Sequence, residues 1–534
     1  MRRRKFNFFV WVALYALAIS LPACYYLCEV QTYFGGSDED TIRDVAIAPD
    51  GTLVVVGGTA SSDLPGRVNA LSSGGFPKIM DGFVAKLTAD GTRILWSRYL
   101  GGPNYDRSYA VEIDPRGNIY VAGRAGAGFP TTAGAVQPTF GGDTVPLSLY
   151  GQQDGFVVKL DAAGTVLWAT YVGGDDASII RDIAVDANEN IYLVMPDINK
   201  ASPHVTAGAY QPSHFGTANA SGIFPNDDGF VGKLQSDGSR FLWGTYFGGS
   251  GDDLAAPSVR LHPTCEKVRD QDCSVYVAGD TTSPGLPVSV VAANRVLNNG
   301  AAANGNNDIL VLKFSHDGSQ LQYASYLGGS GNDGTETHNL AVDDLGRIYI
   351  GATTRSTDLP GTAGTLHPNY LGSGGSGTGA GTNYPGDGFI SVIANDGSLS
   401  ASTYVGGRFG DGVQGVFVDE LYNVYVSGGT YSDDMAVTPD APQSTNSGKA
   451  DLFVARLSPD LRVLQFATYA GGPDEDYGRS LAADFGGYGT HLVSAGQSLI
   501  GTGAPFPTSA GAADTSPGNP GKNEGIIAKF RTQS

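Results

Sequence analysis

The sequence has little positive charge and little helical pattern. Its 534 residues include 33 lysines and arginines against 53 aspartates and glutamates, so the formal net charge is −20 at pH 7. A chain this acidic repels phosphate backbones, and we therefore expect no nucleic-acid binding. Outside the first residues, no long segment shows the 3.6-residue periodicity of an amphipathic helix, which argues against a helical fold.

Catalytic motifs are also missing. The sequence has no HExxH, no P-loop and no G-x-S-x-G nucleophile elbow, and its seven histidines lack the spacing of metal-ligand pairs. Gly372, Gly374 and Gly377 satisfy G-x-G-x-x-G, but they lie in a Gly/Ser-rich stretch without the strand and helix of a dinucleotide site. We identify no arginine cluster that could hold a substrate carboxylate. The sequence therefore predicts no catalytic residues and no enzymatic activity.

Glycine is abundant: the chain has 77 glycines, about twice the usual share of roughly 7%. The apolar runs are short, rich in Val, Ile, Tyr and Phe, and bounded by Gly, Pro, Asp and Asn. Runs of this kind are typical of β-strands separated by turns. The composition therefore predicts an all-β fold.

A repeated phrase organises the chain. QTYFGG at Gln31–Gly36 recurs as SRYLGG, ATYVGG, GTYFGG, ASYLGG, STYVGG and ATYAGG, with successive copies 65 to 80 residues apart. Two other strand-like phrases, exemplified by IYVAG and DGFVAKL, also occur seven times each. A unit of four short strands cannot bury its faces alone and must stack on its neighbours. We therefore predict a single seven-bladed β-propeller of four-stranded antiparallel blades over residues 31–534.

The two ends of the repeat region predict how the ring closes. After EGIIAKF at Glu524–Phe530 the sequence continues only with RTQS, so the seventh unit has three strands. QTYFGG precedes the first complete unit and can supply the fourth. We expect this N-terminal strand to pair with the C-terminal blade and to leave no open sheet edge.

The repeat motifs resemble those of a known family. Y-[LVF]-G-G-x-x-x-D, A-[IV]-D-x-x-x-N-I-Y-V-[AS]-G and D-G-F-V-[AV]-K-L are similar to the SBBP seven-bladed β-propeller repeats of bacterial exported proteins. The resemblance implies a propeller fold and an extracytoplasmic setting. It implies no particular reaction.

The first residues have the parts of an export signal. MRRRK is basic, 16 uncharged residues follow, and LPAC ends at Cys24. Sixteen residues are short for a membrane span, which needs about 20. LPAC resembles a bacterial lipobox, so we expect a signal peptide at 1–23, lipid attachment at Cys24 and a short tether at 24–30. Ordinary cleavage and an uncleaved anchor are the alternatives. The resemblance favours the outer membrane or the cell surface, with a periplasmic face as an alternative.

The other cysteines give one further prediction. Cys265 and Cys273 lie eight residues apart in a polar insertion, and in an exported protein we expect them to form a disulfide. Two free thiols are the alternative. Cys28 has no evident partner.

One face of the propeller is expected to carry both the long variable loops and acidic loops between blades. Carboxylates in a glycine-rich backbone suit calcium, and the calcium candidates are Asp38, Asp40, Asp175, Asp176, Asp252, Asp253, Asp474 and Asp476. The alternative is that these residues stabilise turns by accepting backbone N–H bonds. The aspartates that open the DGF-type strands recur in blade after blade, so we expect a structural role for Asp81, Asp154, Asp228, Asp308, Asp387 and Asp451.

Together these features predict a binding or scaffolding module at the bacterial envelope, anchored to the membrane by lipid. The expected ligand is an envelope protein or polysaccharide bound on the acidic, loop-rich face. One alternative is a carbohydrate-active enzyme, a lyase or glycoside hydrolase, that uses rim carboxylates. Another is a calcium-dependent adhesin or surface-coat protein. No cofactor other than calcium is expected, and the pattern predicts no oligomeric state.

Overall fold

A computed structural model describes residues 26–72, 79–142, 150–198, 202–215, 227–269, 273–297, 307–372, 386–484, 491–501 and 506–532. The expected signal peptide, Cys24, Gly374 and Gly377 lie outside these ranges. No helix among the described residues is long and apolar enough to cross a membrane.

The strands of the first four blades follow the repeat. Strand β1 (Tyr26–Phe34) precedes them. Blade one contains β2 (Asp40–Ile47), β3 (Leu53–Thr59), β4 (Leu71–Ser72), β5 (Asp81–Leu87) and β6 (Ile94–Gly101). Blade two contains β7 (Asp106–Ile113), β8 (Ile119–Ala125), β9 (Asp154–Leu160) and β10 (Val166–Val172). Blade three contains β11 (Asp182–Val185), β12 (Ile191–Asp197), β13 (Asp228–Leu234) and β14 (Phe241–Phe247). Blade four contains β15 (Ser258–Leu261), helix α1 (Pro263–Lys267), β16 (Val275–Thr281), β17 (Asp308–Phe314) and β18 (Leu321–Leu327).

The last three blades complete the ring. Blade five contains β19 (Asp333–Gly334), β20 (Leu340–Val342), β21 (Ile348–Thr354), β22 (Asp387–Ile393) and β23 (Leu399–Val405). Blade six contains β24 (Asp411–Val418), β25 (Val424–Thr430), β26 (Asp451–Leu457) and β27 (Leu464–Ala470). Blade seven contains β28 (Glu475–Asp484), β29 (His491–Leu499) and β30 (Asn523–Thr532). The fold is the predicted seven-bladed propeller, and the four main strands of each blade pair antiparallel. In blade one the short strand β4 is added at the outer edge and pairs parallel with β6.

Ring closure is confirmed in register. Strand β1 is the outermost strand of blade seven, and it pairs antiparallel with β30 so that Tyr33 lies opposite Ile526 and Phe34 opposite Gly525. Tyr33 and Phe34 are fully buried. The tether expected at 24–30 is corrected, because the strand begins at Tyr26 and residues 26–30 already belong to this closing strand.

Cys28 lies within the closing strand. Its side chain packs against the hydrophobic cluster that includes Phe466 and Phe530. Burial, together with the neighbouring Glu29 carboxylate, raises the pKa of its thiol to about 11. A thiol with so high a pKa forms little thiolate at neutral pH and is therefore unreactive.

Buried apolar side chains lie between the blades. Val56 and Val84 of blade one pack in one cluster with Val111 and Val158 of blade two. Each blade thus buries its faces against its neighbours, as expected for stacked repeats.

The D-x-x-x-N-I-Y motif forms the first hairpin turn of a blade. In blade two, the Asp114 carboxylate accepts the Asn118 backbone N–H (2.9 Å), the Asn118 side-chain amide (2.7 Å) and the Tyr120 hydroxyl (3.1 Å). Asp186, Asp343 and Asp419 make similar bonds in blades three, five and six. The motif is therefore a structural element of the turn.

Blade four departs from its neighbours at this turn. The insertion between β15 and β16 contains α1, whose N-cap residue His262 accepts the Thr264 N–H. Cys265 of this helix is joined to Cys273 by the predicted disulfide. The bridge closes the insertion onto the start of β16.

Candidate functional site

The two classes of irregular loop meet on one face. Backbone N–H groups of the loops between blades donate to serines that open the long loops after each second strand: Asp38 to Ser61 (2.7 Å), Gly251 to Ser283 (2.8 Å) and Gly331 to Ser356 (2.8 Å). We call this side of the propeller the loop face. The opposite side, which carries the tight turns, is the hairpin face. The predicted sharing of one face by both loop classes is confirmed.

The recurring aspartate of GGxxxD is part of the blade boundary. Asp40 is buried, and its carboxylate accepts the Gly36 N–H (2.7 Å) and the Ser61 hydroxyl (2.7 Å). The same Gly N–H to Asp bond occurs at five further boundaries, made by Asp106, Asp253, Asp333, Asp411 and Asp476. These aspartates make the backbone bonds that were the alternative to calcium binding.

A second carboxyl group lies beside the first. A Cβ added to Gly328, the first glycine of its GG pair, would lie 2.6 Å from oxygens of both Asp308 and Asp333. At Gly248 the corresponding distances are 2.5 Å to Asp228 and 2.9 Å to Asp253. The first glycine of the GG pair is thus required because two carboxyl groups occupy the space of a side chain.

The other calcium candidates lie near the surface of the loop face. Asp38 pairs with Lys522 (2.9 Å), Asp474 pairs with Lys449 (3.4 Å), and Asp175 is exposed. Asp176 and Asp252 lie in the same loops between blades. Among the described residues, no group of three or more His, Cys, Asp or Glu side chains is arranged to hold a metal ion. Calcium binding at these positions stays a prediction.

The central channel is lined by the innermost strand of each blade, and several of these strands bulge at the same level. The pairing register skips one residue in β2, β7, β24 and β28, namely Arg43, Tyr109, Gln414 and Arg479 respectively. A bulge turns the extra side chain away from the ladder. Each of these strands begins at the loop face, so the bulges lie near the loop-side mouth of the channel.

Arginines from several blades gather at this mouth. The guanidinium carbons of Arg43, Arg107, Arg124 and Arg181 lie 5.7, 5.8, 5.5 and 4.8 Å from the centre of the Tyr109 ring. Arg479 of blade seven acts electrostatically on Arg43. We call Arg43, Arg107, Arg124, Arg181 and Arg479 the arginine cluster. Inspection of the sequence alone did not identify this cluster.

The cluster creates a strongly positive environment. Burial opposes ionisation of the Tyr109 hydroxyl, but the charges of Arg124, Arg181, Arg107 and Arg43 outweigh it and lower the pKa of Tyr109 to about 7. Burial, with Arg107 and Arg479 nearby, lowers the pKa of Arg43 well below its ordinary value. Because arginine keeps its proton in proteins, this shift indicates that the charge is held at an electrostatic cost.

Below the arginine cluster, His338 spans the channel. It precedes β20 of blade five, yet its Nε2 lies 3.0 Å from the Tyr109 carbonyl oxygen of blade two. Its Nδ1 lies 3.4 Å from Asp182 of blade three and 3.7 Å from Asp44 of blade one. Burial opposes protonation, but these two carboxylates raise the pKa of His338. Asp182 also pairs with Arg260 (2.7 Å).

On the hairpin side of His338 lies a cavity of about 690 Å³. Its walls combine apolar side chains such as Ile47 and Phe417 with charged ones. The charged residues include Glu112, Glu266, Glu420, Arg260 and Lys267. Burial raises the pKa of Glu112 to about 8. Carboxyl groups outnumber cations in this cavity, whereas the loop-side mouth carries the arginine cluster.

The arginine cluster could have been found in the sequence by aligning the first strands of the blades. Arg43, Arg181 and Arg479 hold one place in the repeat, before D-V-A, D-I-A and S-L-A. Arg107 and Arg124 are opposite one another in the β7–β8 pair. Contacts across blades were needed to show that all five meet.

Comparison with known proteins agrees with the fold. A family model described as SBBP beta-propeller repeat matches residues 95–130 and 322–360, so the chain carries propeller repeats of that family. No curated protein matches the sequence.

Solved structures resemble it weakly. The quinohemoprotein alcohol dehydrogenase from Comamonas testosteroni is 12% identical with a TM-score of 0.42, over 95% of this chain and 76% of that one. A protein of unknown function from Dyadobacter fermentans is 8% identical with a TM-score of 0.40, over 96% of this chain and 100% of that one.

Proposed function

We propose that this seven-bladed propeller with SBBP repeats is an exported binding module without catalytic activity, which holds its ligand at the loop-side mouth of the channel. The observation that supports the proposal is the arginine cluster, placed on the same face as the long loops. Rigid strands position the arginines, and loops of variable length surround them, an arrangement typical of binding sites. The acidic rim around the mouth is stabilised by its own turn and salt-bridge contacts.

The proposed site can be tested by comparing the two faces. The test measures binding of envelope proteins and polysaccharides to the full chain and to two variants. One variant shortens the loop at 433–449 on the loop face, and the other replaces the turn at 459–462 on the hairpin face. We expect the first change to reduce binding at least several-fold and the second to leave it unchanged. Equal binding by both variants and the unaltered chain would exclude the loop face as the binding surface.

We further propose that a lipid on Cys24 attaches the protein to the membrane. The support is the LPAC sequence that follows the apolar leader. Because β1 begins at Tyr26, the lipid would lie next to the closing strand and hold the propeller close to the bilayer. Cys24→Ala should move the protein from the membrane fraction to the soluble fraction and abolish labelling by a fatty-acid analogue. Continued membrane association of an unlabelled wild-type chain would point to another anchor.

A second candidate function is a lyase that acts on acidic polysaccharides, and the position of Tyr109 favours it. Arginines that bind a carboxylate would neutralise it and so acidify the carbon next to it. The Tyr109 phenolate, whose ring lies among the same arginines, would take the proton from that carbon. The electron pair would form a C=C double bond as the bond to the β-glycosidic oxygen breaks, and the departing oxygen would take a proton from water. The assay measures unsaturated products from polyuronates by ultraviolet absorbance. Turnover that is lost in Tyr109→Phe would establish the lyase, and absence of turnover with intact binding would leave the binding module.

A further inference from the structure

Among the described residues, few negative groups lie near Arg43, Arg107, Arg124 and Arg479 of the arginine cluster. The Nε atoms of Arg43, Arg107, Arg124 and Arg479 are buried and have no hydrogen-bond partner among the described residues. Arg107 and Arg124 are only 8% and 2% exposed, so solvent does not take the place of a partner. Leaving buried charged donors unsatisfied is costly.

The available counter-charges are few. Glu336 approaches Arg479 at 3.9 Å, but its side chain is half exposed. Tyr109 can supply one further negative charge. The chain is strongly acidic overall, yet many of the described carboxylates lie elsewhere, at the blade boundaries, beside His338 and in the hairpin-side cavity. Asp280 lies near Glu336 and accepts the Thr335 N–H and hydroxyl, but burial raises the pKa of its carboxyl to about 7. The guanidinium groups of Arg43, Arg107, Arg124 and Arg479 outnumber these partners, so the mouth has an excess of positive charge among the described residues.

The geometry of the cluster is fixed by its neighbours. The guanidinium of Arg124 lies 3.9 Å from the centre of the Tyr150 ring and 4.6 Å from that of Tyr105, so aromatic rings hold it in place. Arg107 donates from Nη2 to the Thr41 hydroxyl at 2.5 Å. Donors held in this way lose little conformational entropy when they bind a ligand.

We infer that the arginine cluster is an oxyanion-binding site, which takes a carboxylate or phosphate group carried by the ligand. The inference rests on the proposed function, and it names the chemistry of the ligand. Guanidinium groups bind both kinds of oxyanion through paired N–H donors. An anion at the mouth would satisfy the buried Nε groups and reduce the repulsion between Arg43, Arg107 and Arg479.

The test is calorimetric titration of the full chain with inorganic phosphate, with glucuronate and with glucose. We expect both anions to bind and neutral glucose not to bind. Tighter binding of phosphate would indicate a phosphorylated ligand, whereas tighter binding of glucuronate would indicate an acidic sugar. Binding should weaken as sodium chloride is raised. The inference is overturned if neither anion binds at millimolar concentration, or if glucose binds equally well.

Substitutions locate the binding site. Arg43→Gln and Arg479→Gln should each weaken anion binding about tenfold or more, because each removes charge-assisted donors. Tyr109→Phe should strengthen it, because it removes a competing negative group. The control is Arg462→Gln, since Arg462 lies in a turn on the hairpin face, where its Nε is 3.7 Å from Asp460; the affinity of this variant should equal that of the wild type. Anion binding that survives both cluster variants would contradict the assignment.

The anion titrations and the envelope-binding assay test the oxyanion site and the proposed function separately. If anion binding depends on the arginines but shortening the loop at 433–449 does not weaken envelope binding, the oxyanion site is supported and the proposed binding of envelope ligands at the loop face is rejected. If the loop is needed for envelope binding but the chain binds no anion, the proposed function is supported and the oxyanion site is rejected. Melting temperature and circular dichroism of each variant show whether it is folded.

Discussion

The blade boundaries and the channel mouth use charged residues in opposite ways. At six boundaries the same aspartate accepts the same glycine N–H, so the arrangement repeats around the ring. At the channel mouth the bulge position carries arginine in β2 and β28, tyrosine in β7 and glutamine in β24. Residues that recur in every unit serve the common fold. Residues that differ at one repeat position mark where a single ligand can be recognised.

The largest effect is expected from removing residues 31–36, which breaks one boundary of the ring. The deletion exposes the edge of β30 and removes the buried rings of Tyr33 and Phe34. We expect a loss of roughly 5 kcal/mol or more in the free energy of unfolding, since each buried aromatic ring alone contributes several kcal/mol. Urea unfolding followed by circular dichroism measures the change. Fraying confined to β30, with an unchanged main transition, would show that closure does not stabilise the ring.

A smaller loss is expected from Gly101→Ala. The added Cβ would lie 2.6 Å from the Asp81 carboxyl carbon and 3.1 Å from an Asp106 oxygen. Such overpacking should lower the free energy of unfolding by about 1–3 kcal/mol. The matched control is Gly334→Ala, where the nearest atom is the end of the Asn307 side chain at 3.3 Å. If the control is destabilised as much, the paired carboxyls are not the reason for the glycine.

The boundary carboxyls also predict a pH dependence. Burial raises the pKa of Asp81, Asp387 and Asp451 to about 7, above the value of about 3.9 for an unfolded aspartate. Between these values the folded state binds more protons than the unfolded state, so stability is greatest on the acidic side and decreases as the pH rises through 7.

The urea midpoint should therefore decrease from pH 5 to pH 8. Asp451→Asn should reduce the slope, because asparagine cannot ionise. The exposed Asp460 has a lowered pKa because the Ser458 hydroxyl donates to it, and Asp460→Asn should leave the slope unchanged. A midpoint that increases over this range would contradict the prediction.

The smallest effect on stability is expected at the mouth. Arg43→Gln removes one of several neighbouring positive charges, so the free energy of unfolding should stay the same or increase by about 1 kcal/mol. Thermal unfolding of this variant beside Gly101→Ala tests the comparison directly. A loss as large as that of Gly101→Ala would mean that the arginine cluster is structural.

Much of the fold was predictable because each local motif has a local cause. The GG repeat predicted the seven blades, D-x-x-x-N-I-Y belongs to a hairpin turn, and the opening strand predicted ring closure. The end of the expected tether was misplaced, because Tyr26 to Val30 extend the pairing with β30 beyond the recognisable phrase. Strand ends depend on the partner strand as well as on local sequence.

The arginine cluster was not predicted, because its members are far apart in the sequence. Arg43 and Arg479 come from neighbouring blades that become adjacent only when the ring closes. Bulges also shift which residue faces the channel, and a strict two-residue alternation does not show this. His338 reaches partners on three other blades, which no pattern within one unit reveals.

Closure of the ring also depends on how much of the chain has been synthesised. Residues 26–34 are synthesised long before residues 523–532. Strand β1 therefore has no β30 to pair with until the last blade has been synthesised. A chain interrupted at any later point presents one unpaired strand at its start and another open edge at its last blade. Such edges recruit other chains and promote aggregation. Only a chain that contains both β1 and β30 covers these two edges, so ring closure distinguishes such chains from shorter fragments.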